Sequence, residues 1–420
     1  MPGEVRLTVQ TNNTVFPVTG GQQLVYVLIE ALPTDIVADV QMPLNFGLVL
    51  DHSGSMSGEK IESLKKAAKL AIDQMAPQDM VSVVIFDDTV KVVTPNQPAS
   101  DPASLKRQID GIKAAAGTKM SLGMRKGLDE LQKAVGKDRI SRMLLLTDGE
   151  TFGDETQCRQ LAAEAKQQDV QIVALGLGDD WNEKLLEDIG NASGGEHDFI
   201  PDDQPDVILK TFKRQVRAAQ AMVVQNAVMI LRLLPGVLPR AVWRVTPMIN
   251  KLDHRALSDR DVQVELGDME RKQGQSVLVE LLVPPRQPGT YRLAQAEVIY
   301  DVVAHKLSGE RVKADVVVGF TADPAQVQGN PYVLNIVEKV TTHKLQTRAL
   351  DEAAVGNIVG ATQKLRAAAT RLLAMGENDL AQTALGEAER LEKGQGLSPK
   401  GTKKLRAETR KLTQKLDDID

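Results

Sequence analysis

Four apolar runs, FGLVL, MVSVVIF, RMLLLT and VQIVALGLG, recur between Phe46 and Gly178, and helical patterns separate them. After the first run the period changes to 3.6. Ile61, Leu64, Ala68, Ala71, Ile72 and Met75 share one helical face, while Lys65, Lys66 and Lys69 lie largely off it. SLKRQIDGI, SLGMRKGLDELQKAV, TQCRQLAAEAKQQ and NEKLLEDIG supply the later helices. Stretches such as LLLT and IVALGL are apolar at consecutive positions, which suits strands covered by helices on both faces. The pattern predicts an α/β domain over residues 41–220, built on a doubly wound, mostly parallel sheet. In such a sheet ligands bind beyond the carboxyl ends of the strands.

The flanks read differently. VRLTVQ and LVYVLIEAL, within residues 1–40, alternate as two strands, with Gly20 and Gly21 forming the turn before the second. Beyond Ala221 come AMVVQNAVMILRLL, AVWRVTP, DVQVELGDM, SVLVELLVP, YRLAQAEVIYDVV and RVKADVVVGF, an all-β series typical of a sandwich. The N-terminal strands lack partners in a parallel sheet, so they are expected to complete a discontinuous sandwich with residues 221–325, into which the α/β domain is inserted. Residues 326–420 are helical, with breaks at Gly356 to Gly360, at Gly376, and at Gly394 to Gly396. Leu372, Leu373, Leu380, Leu385 and Leu391 provide the apolar faces of a small bundle. Lys400, Lys403, Lys404, Arg406, Arg410, Lys411 and Lys415, followed by an acidic tail, read as a solvated face. A length of 420 residues fits this division, because a single core rarely exceeds ~250–300 residues.

Composition narrows the function. A formal charge of -5 and the lack of basic stretches interleaved with aromatics argue against nucleic acid. No run of eighteen apolar residues and no charged-then-apolar leader occurs, so neither a membrane span nor a signal peptide is expected. The single Cys158 fits a reducing compartment. The expected location is the cytoplasm.

The chemistry concentrates where FGLVL ends, in DHSGSMSG. Asp51, Ser53 and Ser55 there could simply cap the following helix. Two further oxygen groups alter that reading: Thr118 in AAGTKMSLGM, opening the third helix, and Asp148 in LLLTDGE, ending the next apolar strand. The topology makes all five neighbours at the sheet edge. Hydroxyls and carboxylates without His or Cys suit a hard divalent ion, Mg²⁺ or Mn²⁺, with Ca²⁺ ranked below them.

Asp51-His52-Ser53-Gly54-Ser55, Thr118 and Asp148 together resemble the metal-ion-dependent adhesion site of von Willebrand factor type A domains, of the bacterial cytosolic kind, over about Pro43 to Arg217. The resemblance implies a Rossmann-like fold whose metal captures a carboxylate from a partner protein. It also implies that Ser53 and Ser55 ligate directly, Thr118 directly or through water, and Asp51 and Asp148 largely through water. An ion touched by few negative ligands stays electrophilic and gains from an incoming acidic oxygen. The outer architecture resembles, more loosely, inter-alpha-trypsin inhibitor heavy chains and chloride-channel-regulator-like proteins. Family resemblance further implies an AAA-type ATPase of the MoxR kind as a partner.

Other residues carry less. His52 is expected to point away from the ion as a rim contact, and Glu150 and Thr151 to line the rim. Asp87-Asp88 reads as a hairpin turn with Thr89. His197, His254, His305 and His343 show no ligand spacing. Gly117 and Gly149 fit a close loop approach. No GxxxxGK[ST] loop or dinucleotide fingerprint occurs. The expectation is a metal-dependent protein-interaction module, not an enzyme. The alternatives are a metal-assisted phosphohydrolase using Asp51, against which Ser53 stands where a second Asp is wanted, and a scaffold with an incidental metal.

Overall fold

The computed structural model describes residues 3–37, 41–115, 117–136, 138–201 and 205–414. Lys415 and the acidic tail lie outside them. Residues 1–40 with 223–420 form one compact unit and residues 41–222 another.

The first unit opens with β1 (Val5–Thr11), β2 (Asn13–Pro17) and β3 (Gln23–Pro33). The sequence suggested two strands here. The third, β2, is too short to show alternation, and the strands it pairs with, Leu307–Thr321 and Gln328–Gly329, lie some 300 residues away in the chain. Of these strands β3 is the most constrained. Val25, Val27, Ile29 and Ala31 face one core, while Leu28, on the opposite face, enters another. Period-2 alternation therefore places apolar residues on both sides of this strand.

The second unit contains β4 (Leu44–Asp51), α1 (Glu59–Asp73), β5 (Met80–Phe86), β6 (Val90–Pro98), α2 (Pro102–Asp110) and α3 (Met120–Gln132). It continues with β7 (Ile140–Thr147), α4 (Glu155–Gln167), β8 (Val170–Leu177), α5 (Glu183–Ser193), β9 (Glu196–Ile200) and α6 (Pro205–Gln220). Its sheet runs β6-β5-β4-β7-β8-β9, parallel throughout except for β6. Every residue of β4 and β7 is buried, as the consecutive apolar runs require. β6 and β9 escaped the sequence reading. Both are edge strands, and neither is a continuous apolar run: VKVVTPNQP carries two prolines, and EHDFI is short and charged. The chain goes from β4 to β5 on one side and returns to β7 on the other, so the sheet reverses its winding direction beside β4. The carboxyl ends of β4 and β7 flank that switch point, where open α/β sheets hold ligands.

The first unit resumes with β10 (Met222–Leu233), β11 (Leu238–Thr246), β12 (Asn250–Leu252), β13 (His254–Ala256), β14 (Asp261–Glu270), β15 (Gln275–Val283), β16 (Gly289–Val302), β17 (Leu307–Thr321) and β18 (Gln328–Gly329). Two sheets result, β1-β3-β15-β11-β12 and β13-β14-β10-β16-β17-β2-β18. Between them lie Val27, Ile29, Met229, Leu231, Val279 and Val298 among others. Helices α7 (Pro331–Ala354), α8 (Ile358–Ala374), α9 (Asn378–Glu392) and α10 (Pro399–Arg410) follow, broken near the expected glycines. They cover the outer face of the five-stranded sheet, where Leu28, Trp243 and Leu278 pack with Val333, Ile336 and Val340.

Several polar groups within that layer are paired. Glu280, 1% exposed, accepts hydrogen bonds from Lys344 Nζ at 2.6 Å and Trp243 Nε1 at 3.1 Å. The Lys344 ammonium also lies over the Trp243 ring, 5.4 Å from its centroid. His343 Nδ1 is 3.0 Å from Thr409 Oγ1, and its ring meets Trp243 edge-on. Burial, with the Arg410 and Arg406 charges adding to it, pushes the His343 imidazole down to about 3. The folded state thus holds His343 neutral where the unfolded chain would protonate it. Its stabilising effect is complete above about pH 6.5 and is lost as pH falls toward 3. Urea unfolding of the wild type should therefore weaken from pH 6.5 to 4.5 by up to about 1.4 kcal/mol per pH unit more than that of His343→Leu. Parallel pH profiles for the two proteins would contradict this.

Candidate metal centre

Register builds the site. β4 and β7 pair Leu50 with Leu146, so Asp51 and Thr147 leave the sheet side by side. Thr147 Oγ1 donates to Asp51 Oδ2 at 2.6 Å, and the Ser53 amide donates to Asp51 Oδ1 at 2.8 Å. Asp51 has no solvent exposure. Burial pushes its carboxyl up, the bonds from Thr147 and Ser53 pull it back, and the nearby Asp148 charge adds to the rise. The balance leaves it above the ordinary carboxylate range.

Ser53 and Ser55 turn their hydroxyls toward each other, 3.0 Å apart, because Gly54–Met56 forms a short 3-10 turn between β4 and α1. Ser55 Oγ donates to Asp148 Oδ1 at 2.7 Å, and Ser53 Oγ lies 3.4 Å from the same oxygen. The other carboxylate oxygen of Asp148, Oδ2, accepts from Lys60 Nζ at 2.9 Å. Thr118 comes to the same edge: a methyl group added at Gly149 would sit 3.6 Å from Thr118 Oγ1 and 4.0 Å from Ser55 Oγ. The structure thus brings all five sequence-derived residues together. Asp51, Ser53 and Asp148 are buried, Thr118 is half-buried and Ser55 is exposed, so the cluster opens to solvent on one side.

The loops around it are braced. His52 turns away from the oxygens, with Nδ1 2.9 Å from the Lys113 carbonyl and Nε2 3.6 Å from Asp87 Oδ2; it is buried, and so no rim contact. Asp87 and Asp88 form the hairpin turn between β5 and β6, where Asp87 Oδ1 accepts both the amide and the hydroxyl of Thr89. Burial raises the Asp87 carboxyl, but the Thr89 bonds and His52 bring it below its usual range. Gly117 has φ +86, and a side chain there would overlap the Asp88 carboxylate, so this position requires glycine. The placement of Thr151 corrects an expectation. Only 1% exposed, it is not at the rim; its hydroxyl donates to the Thr118 carbonyl at 3.1 Å and also bonds Asp154. Phe152, 76% exposed, follows it in the same loop.

Among the described residues no three His, Cys, Asp or Glu side chains are grouped to hold a metal, so an ion here would depend on hydroxyls. The donor set is all oxygen, which suits a hard cation. Octahedral ligands at ~2.1 Å are separated along an edge by about 3.0 Å. The oxygens of Ser53, Ser55 and Asp148 lie 2.7–3.4 Å apart. These residues fit such an ion.

A doubly wound sheet with this cluster after its first strand defines a class, the von Willebrand factor type A domain. Residues 45–215 match that family, and residues 331–415 match the Sll0103-like, C-terminal alpha-helical domain. The chain belongs to the von Willebrand factor type A domain family and carries the Sll0103-like helical domain after it. It is 31% identical over 377 residues to the uncharacterized protein sll0103 of Synechocystis sp., covering 88% of each chain. It is 29% identical over 190 residues to human inter-alpha-trypsin inhibitor heavy chain H4, covering 42% of this chain and 20% of that protein. A solved structure, von Willebrand factor type A from Catenulispora acidiphila, superposes with a TM-score of 0.75 over 96% of both chains at 18% identity, a likeness of fold alone.

Sequence reading missed two residues that shape the site, Thr147 and Lys60. Thr147 precedes Asp148 within an apolar strand, where a threonine reads as filler. Replacing it with valine keeps the shape but leaves a buried oxygen of Asp51 unpaired. Thr147→Val should lower the unfolding free energy by about 1–3 kcal/mol in urea denaturation. An unchanged midpoint would mean that this bond contributes nothing.

Proposed function

We propose that this chain is a metal-dependent protein-interaction module without catalytic activity, working in an intracellular assembly. In this reading Asp51, Ser53, Ser55, Thr118 and Asp148 hold Mg²⁺ or Mn²⁺, and the partner contributes an Asp or Glu side chain. The observation that carries it is the convergence of two serine hydroxyls on one oxygen of Asp148 at the sheet's switch point. A divalent ion there would supply an electrophilic centre for an incoming carboxylate. The chain's own part is to present neutral donors: hydroxyls hold a cation without cancelling its charge. The exposed Ser55 marks the side from which an anion can approach.

Asp51 is poorly placed as a nucleophile. Both of its oxygens are hydrogen-bonded and it is fully buried, whereas a phosphohydrolase needs that carboxylate free to reach a phosphorus. Cys158 is buried and free, which suits a reducing compartment. Among the described residues no helix is long and apolar enough to cross a membrane.

Titration calorimetry should show one Mn²⁺ bound by the wild type and none by Asp51→Ala. Proteins copurified from native cells in Mg²⁺ should be released by a chelator and fail to bind Ser53→Ala or Thr118→Ala, both folded. Equal Mn²⁺ binding by wild type and Asp51→Ala would remove the site assignment. Phosphatase turnover in Mn²⁺ that disappears in Asp51→Asn would replace the module with the hydrolase.

A further inference from the structure

Lys60 is out of place for a helix. It lies in the first turn of α1, where the positive end of the helix dipole disfavours a cation and where Glu59 and Glu62 are the expected company. Its side chain, 30% exposed, is paired with Oδ2 of the fully buried Asp148 side chain. The two oxygens of that carboxylate are thereby divided: Oδ1 takes the serine hydroxyls and Oδ2 the ammonium.

The charge count follows. Asp51, Asp148 and Lys60 leave the cluster with one net negative charge before an ion enters and one net positive charge after a divalent ion is held. Without the ammonium the empty cluster would be doubly negative and the loaded one neutral. A charge this close to a buried carboxylate is only weakly screened, so it acts on both equilibria. Resting on the module reading above, we propose that Lys60 sets the site's preference between its two ligands. Its fixed charge lowers affinity for the metal and raises the affinity of the loaded site for a carboxylate. It is a positioning and charge-setting residue: it need not touch either ligand.

The two effects have opposite signs, and a merely structural lysine would not produce that. Full-length wild type, Lys60→Met, Lys60→Gln and Lys60→Arg would be titrated with Mn²⁺ by calorimetry. Acetate would then be titrated into each Mn²⁺-loaded protein, followed by water-proton relaxation. Lys60→Met and Lys60→Gln should bind Mn²⁺ about 3- to 30-fold more tightly and acetate about 3- to 10-fold more weakly, while Lys60→Arg stays near wild type. Unchanged or weaker Mn²⁺ binding by the folded neutral variants, beside a wild type that binds both ligands, would overturn the role of Lys60 alone. A wild type that binds no Mn²⁺ would overturn the metal reading and this inference with it.

Discussion

The parallel pairing of β4 with β7 is the constraint from which the site follows. Because Leu50 lies opposite Leu146, the carboxyl ends of the two strands fall level, and Asp51 meets Thr147 one residue further on. A slip by one residue would turn Thr147 to the other face of the sheet and leave Asp51 buried without its partner. The same register delivers Asp148 to the hydroxyls of the turn after β4. Burial of both strands on both faces makes such a slip costly, so the apolar runs that build the core also fix the geometry of a polar cluster.

A related economy governs the other unit. β3 and β15 each send one set of side chains into the sandwich and the alternate set, led by Leu28 and Leu278, under the helices. Apolar contacts alone would tolerate α7 at more than one position along the sheet. Glu280 does not, since a shift by a helical turn would remove Lys344 from a buried carboxylate, and an unpaired buried charge is far more costly than an unpaired apolar side chain. The polar contacts select one arrangement among several that hydrophobic burial would accept.

What the sequence disclosed follows the range of each interaction. The runs in β4, β7 and β8 are buried on both faces, so they stand out as apolar blocks, and the helices between them show their period. Asp51, Ser53 and Ser55 are local to one turn; Thr118 and Asp148 could be joined to them because parallel topology sends strand ends to one edge. The edge strands β6 and β9 need less apolar surface and left no comparable trace. β2 owes its strand form to β17, a partner outside any local window. Lys60 looked like one of several helix-surface lysines, and only the approach of Asp148 distinguishes it. Thr151 was misplaced because its neighbours, Thr118 and Asp154, were not visible as a group until the loop had a shape.

The insertion of the α/β unit within the sandwich has a consequence for biosynthesis. β3 is complete at Pro33, yet its central neighbour β15 begins at Gln275, about 240 residues later. At translation rates of ~5–20 residues per second, that strand waits about 10–50 s for its partner. During this interval the inserted unit has been made and can close its own sheet, whereas β3, with apolar residues on both faces, still lacks that neighbour. β1 can cover one edge of β3 at once, but the other edge stays open until β15 has been made.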